Sequence, residues 1–354
     1  MSKIICGIQQ LGIGVPDVEK IWSWYRKNFG MNVKVFSEAA DAPLMIDYTG
    51  NKVQSRTATL ALNMNGGGGF EIWQYTSRNT EKPSFTPQLG DFGIFIGKIK
   101  SRDVEKSYRY YQKNQCNLLS NIEKTPEGKK HFLISDPNGN YFEIVEGLDW
   151  FFSEQNASFT GGVSGAVIGV SNIEKALKLY RDILNYDIVV YDVTDTFSVY
   201  QSLPSGSQKV RRVLLRHSQI RKGPFAQMLG STEIELIQSL EPEKHRNIFE
   251  NRFWGDWGFI HLCFDVRNMD DLQKELSENG FPFTVDSGST FDMGEASGRF
   301  AYVEDSDGTL IEFVETHKVP IMKKWNWYLN LKNRNPEKHL PKWMLKFMGM
   351  NKVK

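Results

Sequence analysis

The chain has 354 residues, with 43 Lys plus Arg against 42 Asp plus Glu and a formal net charge of +1. That length suits two domains or one large unit built of repeats, and the balanced charge provides no field to draw nucleic acid or an acidic partner. Cys6, Cys116 and Cys263 make neither a paired framework nor a CxxC, and nowhere do about 18 apolar residues run together. The expectation is a cytoplasmic protein with reduced thiols, no integral membrane segment and a small-molecule partner, with a homodimer left open.

In chain order, LGIGVPDVEKIWSWYRKNFGMNVKVF (11–36) reads as an alternating strand, a turn at Asp17, an amphipathic helix and a second strand. The helix carries Val18, Ile21, Trp22 and Tyr25 at the spacing of a core-facing stripe. NGGGGFE (65–71) lacks the Lys-Ser/Thr of a phosphate loop and precedes a strand, GGFEIWQY, so it reads as a flexible turn. GIFIGKIKSRDVEKSYRYYQKN (93–114) begins a second strand–helix unit, closed by DPNGNYFEIVE (136–146). SEQNASFTGGVSG (153–165) has the composition of a linker.

The pattern then repeats. AVIGVSNIEKALKLYRDILNYDIVVY (166–191) matches 11–36, HLCFDVRNMDDLQKELSENG (261–280) matches 93–114, and DSDGTLIEFVE (305–315) matches the earlier closing strand. Four modules follow, about 5–80, 88–150, 160–240 and 256–316. They divide the chain into a first half (1–152), a linker (153–165), a second half (160–317) and a basic aromatic tail (318–354). In the tail, breaks at Pro336 and Pro341 suggest two short amphipathic helices docked on the body.

This fourfold repeat of strand, helix and about three strands resembles the vicinal oxygen chelate superfamily, which includes glyoxalase I, the extradiol dioxygenases and the bleomycin-resistance proteins. The resemblance covers roughly residues 5–317. It implies an α+β fold in which βαβββ modules pair into two cupped mixed sheets, here with a C-terminal helical tail. It also implies that metal ligands come from the first and last strands of each module. The last-strand positions are Glu71, Glu143, Glu235 and Glu312; the first-strand positions, aligned by the apolar residues that follow, are Gln10, Gly93, Gly165 and His261.

If modules pair in chain order, each cup is one ligand short. If module 1 pairs with 4 and module 2 with 3, one cup collects Gln10, Glu71, His261 and Glu312. The other keeps only Glu143 and Glu235. Completeness of the set favours the second pairing, and the set is similar to that of one glyoxalase I subtype. Such oxygen-rich ligation with one imidazole suits Zn²⁺, Ni²⁺, Mn²⁺ or Fe²⁺.

The resemblance then implies enediolate chemistry of the lyase or isomerase type, with Glu312 or Glu71 as base. An extradiol dioxygenase is a rival reading, weakened by Gly165 where that family has a histidine. A metal-free binding protein of the bleomycin-resistance kind is another. Cys263 shares the face of His261, whereas His131, His217 and His317 stand at no ligand position. Arg211, Arg212 and Arg216 read as a solvated face, with an anion-binding role as the alternative.

Overall fold

A computed structural model describes residues 2–147, 149–153, 156–288, 291–292, 297–322 and 327–353. Module 1 runs β1 (Ile4–Gly14), α1 (Val18–Phe29), β2 (Val33–Asp41), β3 (Ser55–Leu62) and β4 (Gly69–Tyr75). Module 2 runs β5 (Gly93–Ser101), α2 (Val104–Lys113), the short β6 (Asn117–Leu118) and β7 (Glu123–Lys124), β8 (Lys130–Ser135) and β9 (Tyr141–Glu146). Module 3 runs β10 (Thr160–Gly169), α3 (Ile173–Leu177), β11 (Ile188–Asp195), β12 (Val210–Arg216), α4 (Ala226–Leu229) and β13 (Glu233–Ser239). Module 4 runs β14 (Gly258–Arg267), α5 (Met269–Glu278), β15 (Val285–Asp286), β16 (Phe291–Asp292), β17 (Ser297–Glu304) and β18 (Leu310–Met322); β19 (Trp327–Asn330) and α6 (Lys342–Met348) follow.

Three helices start at a polar residue two or three positions past the end of the preceding strand. Asp17, Asp103 and Asn172 each accept a hydrogen bond from the backbone N–H three residues on, which satisfies an otherwise orphaned donor and contributes about 1 kcal/mol per cap.

Two sheets form, and each mixes modules from both halves of the chain. One has the order β15-β17-β18-β14-β1-β4-β3-β2, from modules 4 and 1; the other runs β11-β12-β13-β10-β5-β9-β8-β6, from modules 3 and 2. At the centre of each, two first strands run antiparallel, β1 beside β14 and β10 beside β5, with the last strands parallel outside them. Leu11, Phe70, Phe142, Ile168, Leu262 and Phe313, drawn from all four modules, share one buried apolar cluster. Since alternate residues of a strand face opposite ways, the neighbours of Leu11 and Leu262 point out of that core.

Three local expectations change. The glycine run is buried and well packed: Gly68 exchanges backbone hydrogen bonds with Val163, and Gly67 N–H donates to Met228 O. Strand β10 takes in residues 160–165, the part of the expected linker shared with the second half, and a Cβ on Gly162 would lie 2.3 Å from Gly68 O. Only bare backbone fits where the two sheets are stitched together.

Among its described residues the tail docks on the body and is helical only towards its end. β18 continues to Met322 and pairs antiparallel with β19, because an extended chain beside an open strand edge satisfies its backbone groups there. Trp325 lies outside the described residues. α6 begins just after Pro341, and Leu331, Leu340 and Leu345 are buried against Val33, Leu62 and Phe225. Among the described residues no helix is long and apolar enough to cross a membrane.

Candidate metal centre

The sheet of modules 1 and 4 brings together all four residues expected to share a site. On β1 and β14, Gln10 lies opposite Cys263 and Gly12 opposite His261. On the flanking parallel strands, Glu71 lies beside Gly12 and Glu312 beside Cys263. Each glutamate therefore stands beside the residue two positions after its module's first-strand ligand. The two halves of the site are related by a local two-fold.

Gln10 Nε2 donates to Glu71 Oε2 at 3.0 Å and to Glu312 Oε2 at 3.4 Å. His261 Nε2 lies 3.2 Å from the same two oxygens. Ligand atoms of Glu71, His261 and Glu312 fall within 4.8 Å of one another, close to the about 3–4 Å separation of atoms each about 2 Å from one ion. Gln10 Oε1 is buried and finds no hydrogen-bond partner among the described residues, and His261 Nε2 is buried against the two carboxylate oxygens. One amide oxygen, one imidazole nitrogen and two carboxylates form a donor set that a divalent ion fits.

The surroundings hold the imidazole in place. A Cβ on Gly12 would sit 2.4 Å from His261 Cε1, so only glycine leaves the ring its space. Tyr302 Oη lies 3.4 Å from Nδ1, and the Trp254 ring lies nearly parallel to the imidazole, at 18° and 6.4 Å between centroids. Contacts at Nδ1 leave Nε2 facing the carboxylates.

Burial alone would push the His261 pKa down, but Glu312 and Glu71 outweigh it and the pKa rises. Burial likewise opposes the charge of Glu71, yet contact with His261 and the field of Arg56 pull its pKa below the usual carboxylate value. Glu312 goes the other way: burial, reinforced by the like charge of Glu71, raises its pKa. Three groups this close exchange protons as one unit. Burial, then Glu312, pushes the Cys263 thiol well up, so it lines the cup as a neutral group.

The sheet of modules 2 and 3 has the other two glutamates but a different interior. Glu143 lies beside Lys98 and Glu235 beside Val167 in the parallel pairs. By that register, and by the seven residues separating Gln10, Gly165 and His261 from the polar residue that starts the following helix, the module 2 ligand position is Ile96. Gly93 is three residues too early: alignment on Ile94 and Ile96 slips because a bulge interrupts β5 there. Counting back from Asp103 would have found Ile96.

The centre of this second cup is occupied by the chain's own cations. Lys98 Nζ lies 3.1 Å from Glu143, 2.7 Å from Glu233 and 3.1 Å from Glu235, and Arg212 Nε donates to Glu235 at 2.6 Å. His131 Nδ1 meets the other oxygen of Glu143. Arg212 is 1% exposed and packed against Phe197 and Tyr200, so it is no part of a solvated face. Arg211 does lie on such a face, paired with Asp192 and Glu174, and Arg216 pairs with Glu127 and Glu233. Burial alone would lower the Lys98 pKa, but the three glutamates raise it well above normal. Burial would raise Glu233, yet Lys98, Lys129 and Arg216 hold it at about 2.

A cavity of about 480 Å³ opens over the first cup, lined near the ligands by Gln10, Glu71, Glu312, Trp73, Trp254 and Tyr302.

Models of the Glyoxalase/Bleomycin resistance protein/Dioxygenase superfamily match residues 7–144 and 166–302. The chain belongs to that superfamily. No curated protein sequence matches it. Among solved structures it is similar to glyoxalase I from Zea mays, at 13% identity and TM-score 0.54 over 89% of this chain and 92% of that one. It is also similar to a putative dioxygenase from Bacillus subtilis, at 16% identity and TM-score 0.55 over 89% and 86%. At these identities the likeness is one of fold.

Proposed function

We propose that the chain is a divalent-metal enzyme of the glyoxalase type that acts on a small molecule with vicinal oxygens by moving a proton next to a carbonyl. The observation that supports this is the convergence of Gln10, Glu71, His261 and Glu312 beneath a cavity, with Gln10 Oε1 unpartnered. Gln10 Oε1, His261 Nε2 and one oxygen of each glutamate would hold the ion. Bound there, a divalent cation supplies a Lewis acid for negative charge developing on neighbouring substrate oxygens.

Glu312 is the better base of the two glutamates. Gln10 Nε2 lies closer to Glu71, at 3.0 Å against 3.4 Å for Glu312, which leaves Glu312 the freer of the two to take up a proton. Glu312 takes a proton from the carbon beside the carbonyl and returns it to the adjacent carbon, an isomerisation with no net oxidation. Tyr302 and Trp254 keep the imidazole oriented throughout. Glu312→Gln should then abolish proton exchange at that carbon, whereas Glu71→Gln should weaken metal binding first.

Metal analysis of the purified chain tests the reading. Wild type should hold about one divalent ion per chain and His261→Ala almost none. A wild-type chain that takes up none of Zn²⁺, Ni²⁺, Mn²⁺ or Fe²⁺ would overturn it, and bound iron with oxygen uptake on catechols would replace isomerisation by ring cleavage.

A further inference from the structure

The cavity over the first cup extends well beyond the four ligands. Its volume, about 480 Å³, lies in the range of sites that enclose drug-sized ligands, far more than a three-carbon dicarbonyl fills. Away from the ligands its wall is mostly apolar, with Val35, Phe36 and Leu62 on β2 and β3, Met228 on α4, and Met344 and Met348 on α6. Two arginines also line it, and both are already held. Arg56 pairs with Glu38, and Arg299 pairs with Asp286 and Asp270. Methionines on a short helix make a wall that adapts to ligand shape.

One end of a continuous space is thus oxygen-rich and the other is apolar and walled by the chain's own tail. We infer that the substrate is an amphiphile: a head with two vicinal oxygens joined to an alkyl or arylalkyl body that lies against α6, with the tail selecting for that body. The position of the head rests on the metal reading above. The body rests on the far wall alone.

Alkyl hydroxamates offer two vicinal oxygens on a chain of chosen length, so they test both parts on the full-length, metal-loaded protein by calorimetry. Affinity should rise about threefold to fourfold per added methylene from acetohydroxamate, until the cavity is full. Met348→Glu should flatten that rise, and Met348→Leu should retain it. A loaded chain that binds acetohydroxamate but shows no dependence on length would overturn the amphiphile and leave the metal reading intact.

If the chain takes up no metal, the metal reading fails and the body is tested separately. Displacement of a naphthalene fluorophore by 1-alkanols from butanol to decanol should still strengthen with length. A flat series there would overturn the apolar-body inference as well.

Discussion

Two cups with the same carboxylate pair have opposite interiors. In the cup of modules 2 and 3, the glutamates face Lys98 and Arg212. In the cup of modules 1 and 4, the register position of Lys98 is held by Cys263, and that of Arg212 by Ala58. Buried carboxylates need a positive partner. The second cup carries its own, as a lysine and an arginine that fill the space. The first has small residues at those positions, with the Gln10 amide and the His261 imidazole beside its glutamates. One repeat has produced a charge lock and a candidate ligand site, and two side chains on the strand interiors make the difference.

The comparison breaks first at the lock. Lys98→Met leaves Glu143, Glu233 and Glu235 buried without their shared cation, and should cost about 3–5 kcal/mol of stability in urea unfolding. Acid should reach the same cup. Because the Glu233 pKa is held at about 2, below its ordinary value, its stabilisation is complete above about pH 4.5 and is lost as pH falls towards 2. Acid unfolding followed by circular dichroism should show that loss, and Glu233→Gln should reduce it.

At the ligand site, His261→Ala should lower metal affinity by more than about 100-fold, since even changes behind a ligand cost about 10–100-fold. Competition with a fluorescent chelator measures this, and unfolding stability should change less than in Lys98→Met. Gly12→Ala should weaken metal by about tenfold without removing any ligand, because its Cβ displaces the His261 ring. Tyr302→Phe, which removes only a 3.4 Å contact to Nδ1, should have the smallest effect, at or below about tenfold. If Gly12→Ala left affinity unchanged, the glycine would have no part in distinguishing the cups.

Much of this could be read from the residues. Period-2 alternation identified the face of His261, the fourfold repeat identified its sister positions, and a complete set of Gln10, Glu71, His261 and Glu312 favoured pairing module 1 with 4, the arrangement in the structure. The second cup was less legible. An apolar alignment slipped three residues to Gly93 across the bulge in β5, and Lys98 and Arg212, taken one at a time, have the look of surface charges. NGGGGFE looked flexible because glycine serves mobile turns and tight backbone contacts alike.

The sequence by itself determined the module, its caps, its alternating faces and the residue types offered to each cup, because these depend on contacts a few residues apart. Only the tertiary structure decided which glutamates meet His261 and which meet Lys98, that glycines bind the sheets together, and that the tail walls a cavity. Those outcomes depend on strands hundreds of residues apart choosing a partner and a register, and a shift of one residue turns every side chain to the other face.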